Sequence, residues 1–224
     1  MISLVPIKTE ALADRAFISI KEAIINGDLE PGASLRDRNF ADELGISCTP
    51  VREALLRLTS IGLVEFHARS GWQVTSFTES DVRELFEIRR LVEPAAIDQL
   101  AKDGDSAIIG QLVHYFDGYK NPIPKDQLPG YLNIDHGFHQ LIVSCTKNSR
   151  LITFYDVMGD HINRGRRFLL HAVSGRAKET LDEHRAITKV LAEGDFRSAR
   201  RALLHHLAMG EILMLDLVRA RAER

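Results

Sequence analysis

Cysteine is almost absent from this sequence, which holds only Cys48 and Cys145 among 224 residues. Two thiols are too few for a disulfide framework, and this scarcity is typical of proteins from a reducing cytosol. Long apolar runs are missing as well, and none approaches the roughly 20 residues that a membrane-spanning helix needs. Because the N-terminus lacks a basic head followed by a long apolar stretch, no signal peptide is expected. We therefore expect a soluble, cytoplasmic protein.

An excess of positive charge is also lacking. The chain has 29 Lys and Arg against 31 Asp and Glu, which gives a formal charge of −2. Residues 1–76 hold 8 basic and 10 acidic residues, so the first third of the chain has no basic surplus either. Bulk charge thus argues against a strongly basic nucleic-acid-binding protein. Any contact with DNA would have to depend on a few well-placed arginines.

The composition is that of a globular protein, with 45% hydrophobic and 27% charged residues. The length suits two domains of modest size. Residues 1–76 combine helical periodicity with two strand-like segments at their end. The predicted elements are helices over 9–26, 37–44 and from Ser47 or Thr49 (with Pro50 in the first turn) to about Gly62, then strands over 63–67 and 72–74. This order is that of a winged helix-turn-helix domain.

From residue 77 onward the periodicity is helical throughout, and the domain boundary is predicted near 76–80. A capping sequence starts the first helix at Thr78, and Pro94 can kink it. Three prolines within 121–129 indicate a loop. The predicted helices cover 78–101, 105–118, 128–146, 149–172, 178–193 and 196–220. The fold class is therefore mainly α, with a winged helix-turn-helix over residues 1–76 and an all-helical bundle over residues 77–224.

Four arginines are candidates for DNA contact. In a winged helix-turn-helix the second helix of the turn enters the major groove, and Arg52 lies in its first turn. Arg36 and Arg38 begin the preceding helix and Arg69 lies in the hairpin turn, where they can contact phosphate or the minor groove. The alternative is that these side chains are only solvated, and Arg52 can also pair with a nearby carboxylate. Spacing does not decide between the two interpretations.

Four polar residues of the second part fall on otherwise apolar helix stripes: Asp135, His139, His184 and His206. Helix phase separates His206, on an apolar face, from its neighbour His205, on a polar one. Buried separately, each of the four needs its own polar partner, and a shared cation would satisfy all of them at once. Three imidazoles with one carboxylate suit zinc or nickel better than calcium. Separate polar contacts in the core remain the alternative.

The N-terminal residues resemble the DNA-binding domain of GntR-family bacterial transcription regulators, in the segments LEPGASL (29–35), FADELGIS (40–47) and TPVREAL (49–55). The resemblance implies DNA contacts by Arg38 and Arg52, with a wing contact at the turn that ends at Gly71. The family commonly has Ser-Arg-Thr before the proline, whereas this sequence has Ser47-Cys48-Thr49. Arg36 can compensate for the missing arginine. The candidate DNA-binding residues are Arg36, Arg38, Ser47, Thr49, Arg52, Arg69 and Gly71.

Residues 78–216 resemble the helical ligand-binding (FCD) domain of the FadR-type branch of that family, among others in the segments EIR (87–89) and EHRAI (183–187). Many members bind a divalent metal through one Asp and three His, and the matching positions are Asp135, His139, His184 and His206. The resemblance implies a small carboxylate effector, bound between the metal and Arg89. Asn163, Arg164 and Arg167 can complete the pocket, although a solvated helix face is the favoured interpretation of Arg166 and Arg167.

The predicted function is a metabolite-responsive transcription regulator, more commonly a repressor in this family, that acts as a homodimer on double-stranded operator DNA. The alternative is a metal-dependent hydrolase with an accessory winged-helix domain. A hydrolase needs a general base beside the metal-bound water, and Glu183 points about 100° away from His184 on its helix. No serine nucleophile elbow, phosphate loop or dinucleotide motif occurs in the sequence. We therefore expect no enzymatic activity.

Overall fold

The computed structural model describes residues 10–173 and 175–223, apart from the side chains of residues 10, 11, 125, 129 and 171. The chain divides by its internal contacts into two compact units, Met1–Phe77 and Thr78–Arg224. The described elements are α1 (Glu10–Asn26), β1 (Ser34–Leu35), α2 (Asp37–Leu44), α3 (Cys48–Ser60), β2 (Val64–His67), β3 (Gly71–Val74), α4 (Glu79–Asp103), α5 (Ser106–Val113), α6 (Leu128–Ser144), α7 (Ser149–Ala172), α8 (Arg176–Ala192) and α9 (Phe196–Ala222).

The first unit is built on the packing of α1 and α2 against α3. Apolar residues at helical spacing on α1 and α3 meet in one core, which includes Ile20, Ile24, Leu55 and Leu58, all at most 2% exposed. Gly45 ends α2 in the left-handed conformation, at a φ of +65°, which a residue without Cβ adopts at no steric cost. The helix-turn-helix predicted from the sequence is therefore formed by α2 and α3.

The sheet of the first unit differs from the prediction. The described residues form three antiparallel strands in the order β1-β3-β2, where the sequence predicted two. The additional strand, β1, pairs Ser34 with Gln73 and Leu35 with Trp72. A strand of two residues is too short to show the alternation of polar and apolar side chains by which strands are recognised in a sequence. Its conformation depends on pairing with residues about 40 positions away, so the local pattern could not predict this strand.

Ser47 occupies the N-cap position of α3, but its side chain makes no capping hydrogen bond in the described structure, and Thr49 lies within the helix. In the second unit Thr78 caps α4 as predicted. Its hydroxyl accepts a hydrogen bond from the backbone N–H of Asp81, whose side chain accepts one in return from the N–H of Thr78. The assigned helix continues nine residues past Pro94, to Asp103.

α9 packs along both α4 and α8, and α6 packs against α4 and α7. α5 ends at Val113, five residues before the predicted end at 118, and turns occupy the following residues. The proline-rich 121–129 segment holds a short 3-10 turn (Lys125–Gln127) before α6 begins. Among the described residues, no helix combines the length and apolar character needed to cross a membrane.

Candidate metal centre and DNA-binding surface

The predicted DNA-binding arginines of α2 and α3 are exposed. Arg36 stands immediately before α2 and Arg38 lies in its first turn. Arg52, in the first turn and a half of α3, has a side chain that is 63% exposed, and its Nε donates a hydrogen bond to Asp37 Oδ2. The alternative considered for Arg52, pairing with a carboxylate, is thus present, but the pair lies at the surface. It joins the first turns of the two helices.

Strand β1 brings the residues of the wing, the hairpin of β2 and β3, close to the start of α2. Because Leu35 pairs with Trp72, continuation of that antiparallel register brings Arg36 opposite Gly71. Arg69 is exposed in the turn that precedes Gly71. Ser47 and Thr49 are exposed at the start of α3, whereas Cys48 between them is only partly exposed. The short strand β1, which the sequence analysis did not predict, therefore brings the wing beside the start of α2.

In the second unit, the four predicted metal ligands converge in the interior. Asp135 and His139 lie on α6, His184 on α8 and His206 on α9, and each is at most 5% exposed. His184 Nε2 lies 3.2 Å from His139 Nε2 and 3.4 Å from Asp135 Oδ1. One ring nitrogen from each histidine lies within 4.8 Å of the other two. His205 is exposed, in agreement with the helix phase.

Nδ1 of each of the three histidines lies near a polar side chain. Nδ1 of His139 lies 2.6 Å from Glu93 Oε2, and Nδ1 of His206 lies 2.6 Å from Glu183 Oε2. Nδ1 of His184 lies 3.4 Å from the hydroxyl of Tyr131. A carboxylate on Nδ1 fixes the tautomer that leaves Nε2 as a ligand, which is the usual arrangement around metal-binding histidines.

The site favours neutral imidazoles. Burial is the largest influence that lowers the pKa of His139, His184 and His206, and nearby arginines lower the pKa of all three further. Neutral imidazole is the form that binds metals. Burial alone would raise the pKa of Glu93, but Arg89 and His139 outweigh it, so the pKa lies well below its ordinary value. Glu93 is therefore ionised.

Arg89, the predicted effector-binding arginine, is buried and already paired. Its Nε donates a 2.7 Å hydrogen bond to Glu93 Oε1, and its Nη2 lies 3.2 Å from His139 Nδ1. Tyr155 donates its hydroxyl proton to the same oxygen of Glu93, at 2.7 Å. The spacing of Arg89 and Glu93, four residues apart on one helix, was the only sign of this pair in the sequence.

A cavity that is partly open to solvent adjoins the cluster. Its polar lining consists of Arg89, Asp135, His161, Arg166, Arg176, Thr180 and His206. Its apolar lining consists of Leu85, Phe86, Ile162, Leu169, Leu170 and Met214, with Gly165 and Gly210. Arg89 therefore faces the cavity together with two of the four predicted metal ligands.

One interpretation of α7 was wrong, whereas the role of Asn163 and Arg164 in effector binding stays a prediction. Asn163 and Arg164 are not among the described residues that line the cavity, and burial lowers the pKa of Arg164 to about 10. Arg166 and Arg167, interpreted from the sequence as a solvated face, are buried, at 8% and 7% exposed. The reason is that α7 packs against both α6 and α9, so it has little free surface along this stretch. Arg166 lines the cavity, and Arg167 hydrogen-bonds Asn133.

The residues of the cluster fit a transition-metal ion. Zinc with nitrogen and oxygen ligands at about 2.0–2.1 Å in a tetrahedral arrangement separates its ligand atoms by about 3.4 Å. The distances of 3.2 and 3.4 Å from His184 Nε2 to its two neighbours match that spacing. Neutral histidines, an ionisable carboxylate and oriented Nδ1 atoms complete what such an ion requires.

Comparison with known families decides which class of protein carries these sites. The family model "Bacterial regulatory proteins, gntR family" matches residues 12–74, and the model "FCD domain" matches residues 84–209, more than half of the chain. The chain belongs to the GntR family of transcription regulators. The winged helix-turn-helix is thus the GntR domain, and the helical unit contains the FCD domain.

Individual relatives agree with this assignment. The GntR-family chain is 30% identical over 192 residues to an HTH-type transcriptional regulator in an unstable DNA locus of Streptomyces ambofaciens, covering 85% of this chain and 80% of that protein. It is 29% identical to the "Probable D-xylose utilization operon transcriptional repressor" of Paenarthrobacter nicotinovorans, covering 89% and 86%. A GntR transcriptional regulator from Rhodococcus sp. RHA1 has the same fold, with a TM-score of 0.75, 23% identity and coverage of 92% and 98%.

The family assignment settles the choice between regulator and hydrolase. Both domains and the relatives are those of DNA-binding transcription regulators, not of enzymes. Glu183, the one carboxylate next to a ligand histidine in sequence, accepts hydrogen bonds from His206 and from both terminal nitrogens of Arg176. Its role is therefore to orient a histidine rather than to act as a general base.

Proposed function

We propose that this GntR-family regulator is a metabolite-responsive repressor in which a small carboxylate, bound beside a metal in the helical unit, modulates binding to operator DNA. The observation that carries the proposal is the buried cluster of three histidines, in which Nε2 of His139 faces Nε2 of His184. Carboxylates hold Nδ1 of His139 and His206, and a tyrosine hydroxyl lies beside Nδ1 of His184. Zinc or nickel is the proposed ion, with Asp135, His139, His184 and His206 as its ligands. Such an ion supplies open coordination positions that accept a carboxylate oxygen.

Charge balance supports an anionic effector. Six charged side chains surround the cavity and its histidines: Arg89, Arg166 and Arg176 against Glu93, Asp135 and Glu183. Their formal charges cancel, so a divalent ion adds a charge of about +2 that no side chain of this set neutralises. A buried net charge is costly, and a bound carboxylate reduces it. The cavity next to the histidines is partly open to solvent, so a small carboxylate can enter it.

The first unit supplies the contact with DNA. We propose that Arg52 contacts base edges from the start of α3, while Arg36, Arg38, Ser47, Thr49, Arg69 and Gly71 contribute around it. A homodimer would present two copies of α3 to half-sites about one helical turn apart. Dimerisation is assigned to the helical unit, residues 77–224. With operator DNA as its partner, the protein acts in the cytoplasm.

The effector acts through differential affinity. A carboxylate that binds one arrangement of the helical unit more tightly than another shifts the population toward it, and operator affinity changes accordingly. The test is fluorescence anisotropy with the DNA upstream of the protein's own gene, with and without a chelator and a panel of small carboxylic acids, alongside metal analysis of the purified protein.

We expect about one zinc or nickel ion per chain, specific DNA binding, and a shift in operator affinity on adding an acid that disappears with chelator. A protein that binds its operator equally well under every condition would contradict the effector proposal. A protein that binds no transition metal would contradict the metal proposal. Size measurement by light scattering tests the dimer.

A further inference from the structure

Two kinds of side chain line the cavity beside the histidine cluster. The polar ones are Arg89, Asp135, His161, Arg166, Arg176, Thr180 and His206. The apolar ones, here called the apolar wall, are Leu85 and Phe86 of α4, Ile162, Leu169 and Leu170 of α7, and Met214 of α9. Gly210 of α9 allows this arrangement, because a Cβ there would lie 3.1 Å from the Phe86 ring. A ligand in this cavity therefore meets both charged groups and hydrocarbon.

The arginine best suited to hold a ligand is Arg166. Its Nε lies 3.4 Å from Asp135 Oδ2 and its Nη1 lies 3.3 Å from His136 Nδ1. Its Nη2 is buried and has no hydrogen-bond partner within the described part of the chain. A buried, unpaired donor of a charged group is costly unless something else accepts its hydrogen bonds. Since Arg166 lines the cavity, a bound anion is the natural acceptor.

Arg89 is less available for that role. Its Nε is used by Glu93, and its Nη2 lies against the ring of His139. Arg176 is likewise held by Glu183, through both of its terminal nitrogens at 2.6 and 2.8 Å. Of the three arginines that line the cavity, Arg166 has the least complete set of partners among the described residues.

We infer that the effector is a monocarboxylic acid with an unbranched apolar chain of medium length, whose carboxylate is anchored by Arg166 and whose chain lies against the apolar wall. The inference rests on the proposed function, because it places the carboxylate next to the metal cluster. Polyhydroxylated acids are disfavoured because their hydroxyl groups would be buried against the apolar wall without partners. Dicarboxylic acids are disfavoured because their second charge would be buried there as well.

Isothermal titration calorimetry of the full-length, zinc-loaded protein tests the chain preference. The probes are acetate, butanoate, hexanoate and octanoate, with gluconate and hexanedioate as six-carbon comparisons. We expect the affinity to rise by up to about fourfold for each buried methylene, and hexanoate to bind at least tenfold more tightly than gluconate or hexanedioate. Gluconate or hexanedioate binding as tightly as hexanoate would overturn the inference and leave the proposed function intact. Binding of none of these acids would overturn the inference, and the operator-binding test with the wider panel of acids then decides the proposed function.

Variants test the residues. Arg166→Gln should weaken every monocarboxylate by about tenfold to a hundredfold, as expected for loss of a charged hydrogen bond, with the zinc content unchanged. Arg167→Gln is the matched control, because Arg167 is the next residue, equally buried, and bonded to Asn133 instead of lining the cavity. If Arg166→Gln binds acids as the wild type does, while Arg89→Gln does not, the anchor is Arg89 and the assignment is wrong.

The apolar wall has its own variant. Leu169→Asn places an amide in the wall with the same number of side-chain heavy atoms, so we expect octanoate to lose at least tenfold in affinity while acetate loses less than twofold. Val157→Asn is the control, because Val157 lies on the same helix, is exposed and is not among the lining residues, so it should leave the whole series unchanged. Zinc content and the acetate affinity show whether Leu169→Asn is folded, and if it is not, Leu170→Asn serves in its place. Equal losses for acetate and octanoate would contradict the proposed position of the chain.

Discussion

Oε2 of Glu93 lies 2.6 Å from Nδ1 of His139, while Oε1 of the same carboxylate accepts hydrogen bonds from Arg89 and Tyr155. One buried carboxylate therefore orients a predicted metal ligand and neutralises a buried arginine. The pair ties α4 to α6, and through His139 it reaches the histidines of α8 and α9. The histidine cluster and the core of the helical unit are thus held together by the same hydrogen bonds.

This relationship predicts a large loss of stability for Glu93→Gln. The substitution leaves the buried guanidinium of Arg89 without its counter-charge, and breaking a buried ion pair in this way costs about 3–5 kcal/mol. Denaturant unfolding of the metal-free protein measures the loss without interference from metal binding. Glu87→Gln, at an exposed position of the same helix, should change the stability by less than about 0.5 kcal/mol. A free energy of unfolding that is the same in both variants would contradict the assigned role of Glu93.

Helix α9 offers a matched pair of histidines for testing metal binding. His206 is 5% exposed and belongs to the cluster, whereas His205 is exposed. We expect His206→Ala to lower the affinity for zinc by at least a hundredfold, because one of four ligands is lost, and His205→Ala to keep it. Competition with a chromophoric chelator measures both affinities. Equal zinc affinity in the two variants would rule out His206 as a ligand. The zinc affinity of His184→Ala then shows whether the other residues of the cluster bind the metal.

The distinction between these two neighbours illustrates what sequence could establish. Helical periodicity alone separated His206 from His205 and placed four polar residues on apolar stripes, and all four are buried. The same reasoning failed for Arg166, because its burial depends on the packing of α7 against α6 and α9 and leaves no trace in the spacing of polar residues. Likewise, the two-residue strand β1 exists only through its pairing with Trp72 and Gln73. Local pattern predicts which residues share a face, whereas the partners of that face are a property of the folded chain.

Arg52→Ala is expected to remove specific DNA binding without unfolding the protein. The loss of one arginine that contacts a base edge costs about 1–3 kcal/mol per site, and a dimer loses two. Anisotropy with operator and unrelated DNA measures the specificity, and thermal unfolding verifies the fold. Arg57→Ala is the control, because Arg57 lies farther along α3 and pairs with Asp14 of α1. Unchanged discrimination between the two DNAs in Arg52→Ala would show that α3 does not contact bases through this residue.

An exposed ion pair joins the start of α4 to the end of α9. Arg219 donates to both oxygens of Glu79, at 3.0 and 3.1 Å, and these bonds, with one from Arg83, lower the pKa of Glu79 from 4.5 to about 2. A lowered pKa in the folded state means that the stabilisation is complete above pH 4.5 and is lost as the pH falls toward 2.

Glu79→Gln should therefore lower the melting temperature near pH 6, and its difference from the wild type should shrink as the pH falls from 4.5 toward 2, a convergence that follows from the lowered pKa. Glu84→Gln, which removes an exposed carboxylate bonded to Ser80 on the same helix, should show no such convergence. The measurement is thermal unfolding of the three proteins across that pH range. A difference between Glu79→Gln and the wild type that stays constant with pH would contradict the depressed pKa.

Cys48 gives the last prediction, because it stands at the first position of α3 where the family commonly has an arginine. With a nearly neutral chain and this arginine missing, we expect few phosphate contacts and therefore a shallow salt dependence of operator binding. Each added phosphate contact steepens the slope of log K against log salt by about 0.9. Cys48→Arg should therefore tighten binding and steepen the slope by about 2 per dimer, whereas Cys48→Ser should not. Titrations at several salt concentrations measure the slopes, and a wild-type slope as steep as that of Cys48→Arg would show that other residues already supply these contacts.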